Sequence, residues 1–154
     1  GKFAIDGDAT PYRLTGECRV HEGKLTRLEG LKAASTKGPP VFKFDMRCES
    51  MGGFEVDTEV IKSGFKADVR LLGDTNQLGL LGTAEGSKGS LFFRDTQFDI
   101  VSGTVRFESP GSIDPRFNIS GRSIVKETKA QPPQEYEVNL QVYGKPQDYK
   151  IRLS

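Results

Sequence analysis

The chain reads as an all-β protein of long antiparallel strands, each with one apolar face. Three observations predict it. Apolar side chains recur at every second position in run after run, the period of a strand with one greasy face and one wet face. Glycine is abundant, 18 of 154 residues, and punctuates those runs. No segment reads as a helix.

The elements follow in order. Lys2 to Asp6 alternates and ends at the Gly7-Asp8 turn. Tyr12 to His21 sets Tyr12, Leu14, Cys18 and Val20 against Arg13, Thr15, Glu17, Arg19 and His21. Glu22-Gly23 is expected to be a hairpin turn into a strand from Lys24 to Leu31. The small, polar, Pro-terminated stretch from Lys32 to Pro40 reads as a loop. Val41 to Met51 is the strongest strand, about 35 Å long at ~3.3 Å per residue. Gly52-Gly53 is read as the next turn. Phe54, Val56, Thr58 and Val60 continue the pattern, and Phe65, Ala67, Val69 and Leu71 resume it after Ser63-Gly64.

Asp74 to Gln77 is a further turn. Shorter strands are predicted at Leu78 to Ala84, Ser90 to Phe93, Phe98 to Val101, Thr104 to Phe107 and Phe117 to Ile124. A loop from Lys126 to Glu135, carrying Pro132-Pro133, precedes a last hairpin. There Tyr136, Val138, Leu140 and Val142, then Tyr149, Ile151 and Leu153, share one parity. Roughly a dozen strands joined by tight turns predict an antiparallel meander.

Length and composition bound the function. A chain of 154 residues is one ordinary domain with room for a core. Its 22 basic and 21 acidic residues are spread evenly, so no basic block points to nucleic acid. Trp is absent and the aromatics are mostly Phe, which favours burial over stacking on bases. No stretch approaches the roughly 20 apolar residues that span a bilayer. The chain opens at Gly1-Lys2-Phe3 and stops at Ser154 directly on a strand, so it is expected to be a piece of a longer protein.

The chemistry-bearing residues do not assemble into a catalytic or metal motif. His21, the one histidine, sits on the polar parity beside a turn with no nucleophile near it in sequence. One His and two separated Cys make no zinc site. Cys18 and Cys48 lie on the apolar parity and read as buried free thiols, with a disulfide between neighbouring strands open in an oxidising compartment. Gly82 to Gly89 has phosphate-loop composition but the wrong spacing and no following helix, so it reads as a strand end and hairpin turn. Asn118-Ile119-Ser120 fits a glycosylation sequon inside a strand. The acidic residues sit on the wet parity beside basic neighbours, as cross-strand pairs. Neither catalysis, metal nor cofactor is expected.

The greasy face remains. In a closed β-sandwich, a structural or adhesin-like binding module, it fills an interior. In an open sheet it lines a trough, and exposed apolar surface at about 25 cal/mol per Å² calls for a ligand, a partner strand or a second copy. Globular strands are usually nearer 5–6 residues, so the long strands tilt the reading toward the trough.

GLLGTAEGSKGSLFFRDTQFDIVSGTVRFESPGSIDPRFNISGRS (Gly79 to Ser123), with YEVNLQVYGKPQDYKIRLS (Tyr136 to Ser154), resembles the β-rich C-terminal region of the TamB family, within the AsmA-like group. The shared pattern is a Gly-initiated strand, F-x-I, G-T-V-x-F, P-x-F-x-I-S-G and a closing V-x-L-x-V-x-G…P…I-R-L-S. Before Leu78 the likeness is compositional. The resemblance implies a taco-shaped trough in a periplasmic protein anchored in the inner membrane by an N-terminal helix. It also implies work in outer-membrane biogenesis with a TamA-like barrel of the BamA type. The trough would conduct phospholipid acyl chains or chaperone client β-strands, with self-association through open edges or groove as a further possibility. The residues expected to line it are Phe42, Phe44, Met46, Phe54, Val56, Val60, Phe65, Val69 and Leu71. Phe98, Ile100, Phe117, Ile119, Val138, Leu140, Val142, Ile151 and Leu153 continue it.

Overall fold

The structure, a computed structural model, describes residues 1–26, 37–86 and 88–154. Eleven strands are found there: β1 (Lys2–Asp6), β2 (Tyr12–Val20), β3 (Gly23–Leu25), β4 (Phe42–Asp57), β5 (Ile61–Asp74), β6 (Leu78–Gly86), β7 (Gly89–Phe93), β8 (Thr96–Ser109), β9 (Pro115–Glu127), β10 (Gln134–Lys145) and β11 (Asp148–Leu153). The described residues contain no helix. All eleven strands share one sheet in the order β1-β2-β4-β5-β6-β8-β9-β10-β11, with β3 on β4 and β7 between β5 and β8. The end strands β1 and β11 do not pair with each other, so the sheet is open and not a barrel, as the sequence predicts.

Four local readings need correction, and one physical reason covers most of them. A glycine or small polar pair interrupts a strand more often than it reverses one. Glu22-Gly23 is no hairpin: β2 pairs β4 in parallel at Val20↔Ser50, and β3 resumes in parallel on the same edge at Gly23↔Phe54. Gly82 to Gly89 is no hairpin either. Both β6 and β7 run antiparallel to β5 and to β8, so they form one lane broken near Lys88. Gly52-Gly53 lies inside β4, at a bulge between Ser50 and Phe54. The strands predicted at Phe98 to Val101 and Thr104 to Phe107 are one, β8, with a bulge between Ile100 and Ser102. Each bulge lets a long strand bend without ending.

Ser63-Gly64 lies inside β5, and the next reversal is at Thr58. There the Thr58 N–H donates to the Ile61 carbonyl at 2.8 Å, and the Thr58 hydroxyl accepts from the Ile61 N–H at 3.1 Å. The predicted turn at Asp74 to Gln77 is present, with the Asp74 carboxylate accepting from the N–H groups of Asn76 and Gln77. Of the strand predicted from Lys24 to Leu31 and the loop from Lys32 to Pro40, residues 27–36 lie outside the described residues.

The predicted meander holds from β1 to β2, which pair antiparallel, and fails at the next step. β4, β5 and β6, like β8 to β11, are antiparallel neighbours, but β2 and β4 are parallel. Parallel partners need a crossover of a dozen or more residues, and the chain between Leu25 and Phe42 supplies that length. The parallel register sets Cys18 directly opposite Cys48. They are not free thiols: a disulfide joins them, with their Cα atoms 4.5 Å apart.

That bond ties β2, and β1 beyond it, to the body of the sheet. It closes a loop with a sequence separation of 30, worth about 3–4 kcal/mol in chain entropy. Replacing both residues by Ser, or adding a reductant, is expected to lower unfolding stability in urea by about that amount. A midpoint unmoved by reductant counts against the staple.

Candidate functional site

Between bulges, register places the inward-facing side chains of a strand on one parity. Rows run across the sheet at right angles to the strands. One row is Met46–Leu71–Leu80, the next Cys48–Val69–Gly82–Phe107–Pro115, and the next Ser50–Ala67–Ala84–Val105–Phe117. Further along come Gly103–Ile119–Val142–Ile151 and Gly121–Leu140–Leu153. The β8 bulge keeps the face by shifting the parity: the inward set changes from Phe98 and Ile100 to Gly103, Val105 and Phe107 across the extra residue, leaving Val101 exposed.

The apolar face has a closed end, an open end and an edge. At the closed end Val56, Ile61, Phe65, Ala84, Leu91, Phe98, Ile100, Ile119 and Leu140 form one buried cluster, Leu140 with only 1% of its surface exposed. Phe54, Phe117, Val138 and Val142 pack against it. One layer of flat sheet leaves both faces open, so burial this deep requires the sheet to curl until lanes cover one another. Glycines make room for it. A Cβ on Gly86 would lie 3.0 Å from the Phe65 ring, and one on Gly121 would lie 3.0 Å from Phe98 Cβ. At the open end Phe42, Phe44, Met46, Val69 and Leu71 are only half-buried, with the Phe42 and Phe44 rings stacked at 6.4 Å. At the β11 edge Ile151 and Leu153 are exposed.

The predicted lining residues thus divide among these three places, with one exception. Val60 is 53% exposed in the Thr58 turn, off the apolar face. Its place in the pattern is taken by Ile61, because the turn shifts the parity by one. Sequence reading also missed Leu91 and Ala84, both buried. Leu91 was detectable from its alternation with Phe93; Ala84 is too small to register as an apolar signal.

The opposite face is charged and internally paired. Arg47 and Arg70 stand opposite each other on β4 and β5, yet each reaches diagonally to a carboxylate. Arg47 Nε and Nη2 donate to Asp68 at 3.1 and 2.8 Å, and Arg70 Nε and Nη2 donate to Asp45 at 2.7 and 2.8 Å. Lys24 pairs with Asp57 at 2.6 Å and Lys126 with Glu135 at 2.8 Å. The cross-strand pairs read from the sequence are therefore present. Hydrogen bonding from Arg70, Arg47 and Lys24 holds the carboxyls of Asp45, Asp68 and Asp57 below the ordinary aspartate range.

Two shallow depressions, of about 300 and 290 Å³, also open on the sheet. Ser120, Asn139, Leu140, Gln141 and Arg152 line the first, and Ser50, Lys66, Ala67, Asp68, Thr83 and Glu85 the second. Among the described residues no group of three or more His, Cys, Asp or Glu side chains is placed to hold a metal.

A one-layer open sheet with a single apolar face and a closing I-R-L-S strand is the arrangement that the family resemblance implies. The model of the TamB C-terminal domain matches residues 28–154. The chain belongs to that family. The match begins some fifty residues before Gly79, and so takes in the part where the sequence resemblance is compositional. A search of curated proteins finds no match. TamB-family membership gives the chain a family role in outer-membrane biogenesis and assembly, in the envelope, in a system that includes a TamA-like partner. Among the described residues no helix is long and apolar enough to cross a membrane.

The paired carboxylates set an acid limit on the sheet. Their folded pKa values lie below the unfolded one, so their contribution is complete above about pH 4 and is lost as pH falls through the depressed values. Asp45→Asn with Asp68→Asn is expected to flatten the fall in urea midpoint between pH 5 and 2. Because the groups are exposed, 1 M salt should shrink the same effect in the unmodified chain. Within the closed end, Leu140→Ala is expected to cost about 2–5 kcal/mol in the same assay.

Proposed function

We propose that this domain is a non-enzymatic conduit whose apolar face shelters phospholipid acyl chains on their way across the periplasm. The parent protein is anchored in the inner membrane and works with a TamA-like barrel at the outer one. One observation carries the reading. Along β5 the inward set runs from buried Phe65 through Ala67 into half-buried Val69 and Leu71, beside half-buried Met46 and Phe44 beyond the β4 bulge, and among the described residues no second layer of sheet covers them. Acyl chains need only a continuous apolar track, and burying such a surface at about 25 cal/mol per Å² is favourable for any chain laid along it.

A second reading, chaperoning of client β-strands, draws on the edges. β1 and β11 each present unpaired backbone, with Phe3, Ile5, Tyr149 and Leu153 exposed beside it. An open edge of this kind accepts an added strand through main-chain hydrogen bonds. The two cargoes would use different surfaces, the face for lipid and the edge for a strand.

The face and the core respond differently to charge, and that separates a conduit from a purely structural sheet. Phe44→Asp and Val69→Arg are expected to keep the far-UV circular dichroism of the sheet while abolishing co-purified phospholipid by mass spectrometry and function in cells. Phe65→Asp, in the closed end, is expected to unfold the domain, since an unpaired buried charge is costly. A fully functional Phe44→Asp or Val69→Arg protein would sink the conduit. A photocrosslinker at Phe44 that captures only protein would favour the client-strand reading.

A further inference from the structure

One seam of the sheet differs from the rest. Among the described residues neighbouring lanes are antiparallel everywhere except where β2 and β3 meet β4. Parallel ladders are slightly less stable per residue, and no tight turn joins the two sides, because the chain crosses over between them. The β2 ladder stops at Val20↔Ser50, beside the β4 bulge, and β3 resumes it for three residues only.

Little burial holds this seam shut. The buried cluster takes no residue from β1 or β2, and from β3 only Leu25 packs against it. Every residue of β1 is exposed, and none of β2 is buried. The side-chain ties lie at the surface. Tyr12 rests its ring 5.9 Å from that of Phe42, and Lys24 pairs with Asp57 at 2.6 Å. Arg13 approaches Asp45 at 3.8 Å, but Arg70 already engages that carboxylate at 2.7 and 2.8 Å. Exposed ion pairs of this kind add little.

The strong tie is covalent. The Cys18–Cys48 disulfide crosses the seam inside the β2 ladder, and a loop of sequence separation 30 gives it an advantage of about 10²–10³ in the closing equilibrium. Both cysteines are half-buried and neither belongs to the closed core, so a small thiolate reaches them with the core intact.

We infer that this disulfide is a redox lock on the β2–β4 seam. Oxidised, it holds β1 to β3 against β4; reduced, it lets them part while β4 to β11 stay folded. The step is exchange with a dithiol. One of its thiolates attacks a sulfur of the bond, giving a mixed disulfide and one free cysteine, and its second thiol then displaces the other. Two electrons and two protons pass to Cys18 and Cys48, and the dithiol leaves as a disulfide. Opening uncovers the β4 edge from Phe42 to Ser50, with Phe42, Phe44 and Met46 on its apolar parity. Phe65, Leu91, Phe98 and Leu140 lie on lanes beyond β4 and need not move. The lock is independent of which cargo the apolar face carries.

Amide hydrogen exchange at increasing urea tests it on the chain as it stands. Three forms are compared: oxidised, kept in dithiothreitol as the dithiol, and carrying Cys18→Ser with Cys48→Ser. Oxidised, the β2 amides are expected to exchange together with those of β8 to β10, through global unfolding. Reduced, they are expected to lose at least about 10²-fold in protection and to exchange ahead of β8 to β10, through an opening with little urea dependence. The double variant should match the reduced chain and be indifferent to dithiothreitol. If β2 and β8 to β10 still exchange as one unit when reduced, the bond is a global staple and the lock is overturned. A β2 lane equally loose when oxidised overturns it too, as does a bond that dithiothreitol leaves intact until the chain unfolds.

Discussion

A single sheet whose strands are apolar on one parity must cover that face with itself, and every larger feature of this protein answers to that constraint. No helix or second sheet supplies a lid among the described residues. Curling is the remaining solution, and at the Phe98 end it goes far enough to bury a core of ordinary depth. Toward Phe44 it stops short. Among the described residues a folding core and a half-buried apolar surface thus share the same face, the first stabilising the second. That is how a protein of this size presents greasy surface without collapsing around it.

The interruptions in the strands are the means of curling. The β4 bulge, the β8 bulge and the gaps between β2 and β3 and between β6 and β7 interrupt a ladder locally, bending the sheet while the apolar side chains return to the same face. Gly82 shows the backbone side of the same economy: it adopts φ +132° in mid-strand, where a Cβ would collide with the Asp68 carbonyl. Each break leaves polar groups behind. Ser63 disposes of one such group internally, whereas the Ser50 hydroxyl remains on the apolar face unpaired.

The charged face does quieter work. Diagonal arginine–aspartate pairs on β4 and β5 neutralise what would otherwise be like charges directly opposite, Arg47 against Arg70 and Glu49 against Asp68. Exposed pairs of this type add little stability singly, but they fix which residues face each other and so help set the β4–β5 register. The disulfide performs the same service for the β2–β4 pair.

The fold class, the inward parity of nearly every strand and the TamB-family motifs were all legible in the sequence. Alternation is a local property of the backbone, imposed wherever one face of a strand is buried. What the sequence did not reveal were decisions made between strands. Whether Glu22-Gly23 reverses the chain or interrupts it depends on the edge that β3 meets, and both outcomes favour the same residues. Cys18 and Cys48 look alike as free or bonded residues until a parallel register sets them opposite. Val60 and Ile61 exchange roles because a turn three residues long moves the parity by one. The division of seventeen similar apolar residues into core, open end and edge is likewise tertiary, because burial depends on how far the sheet curls and no residue's own pattern records that.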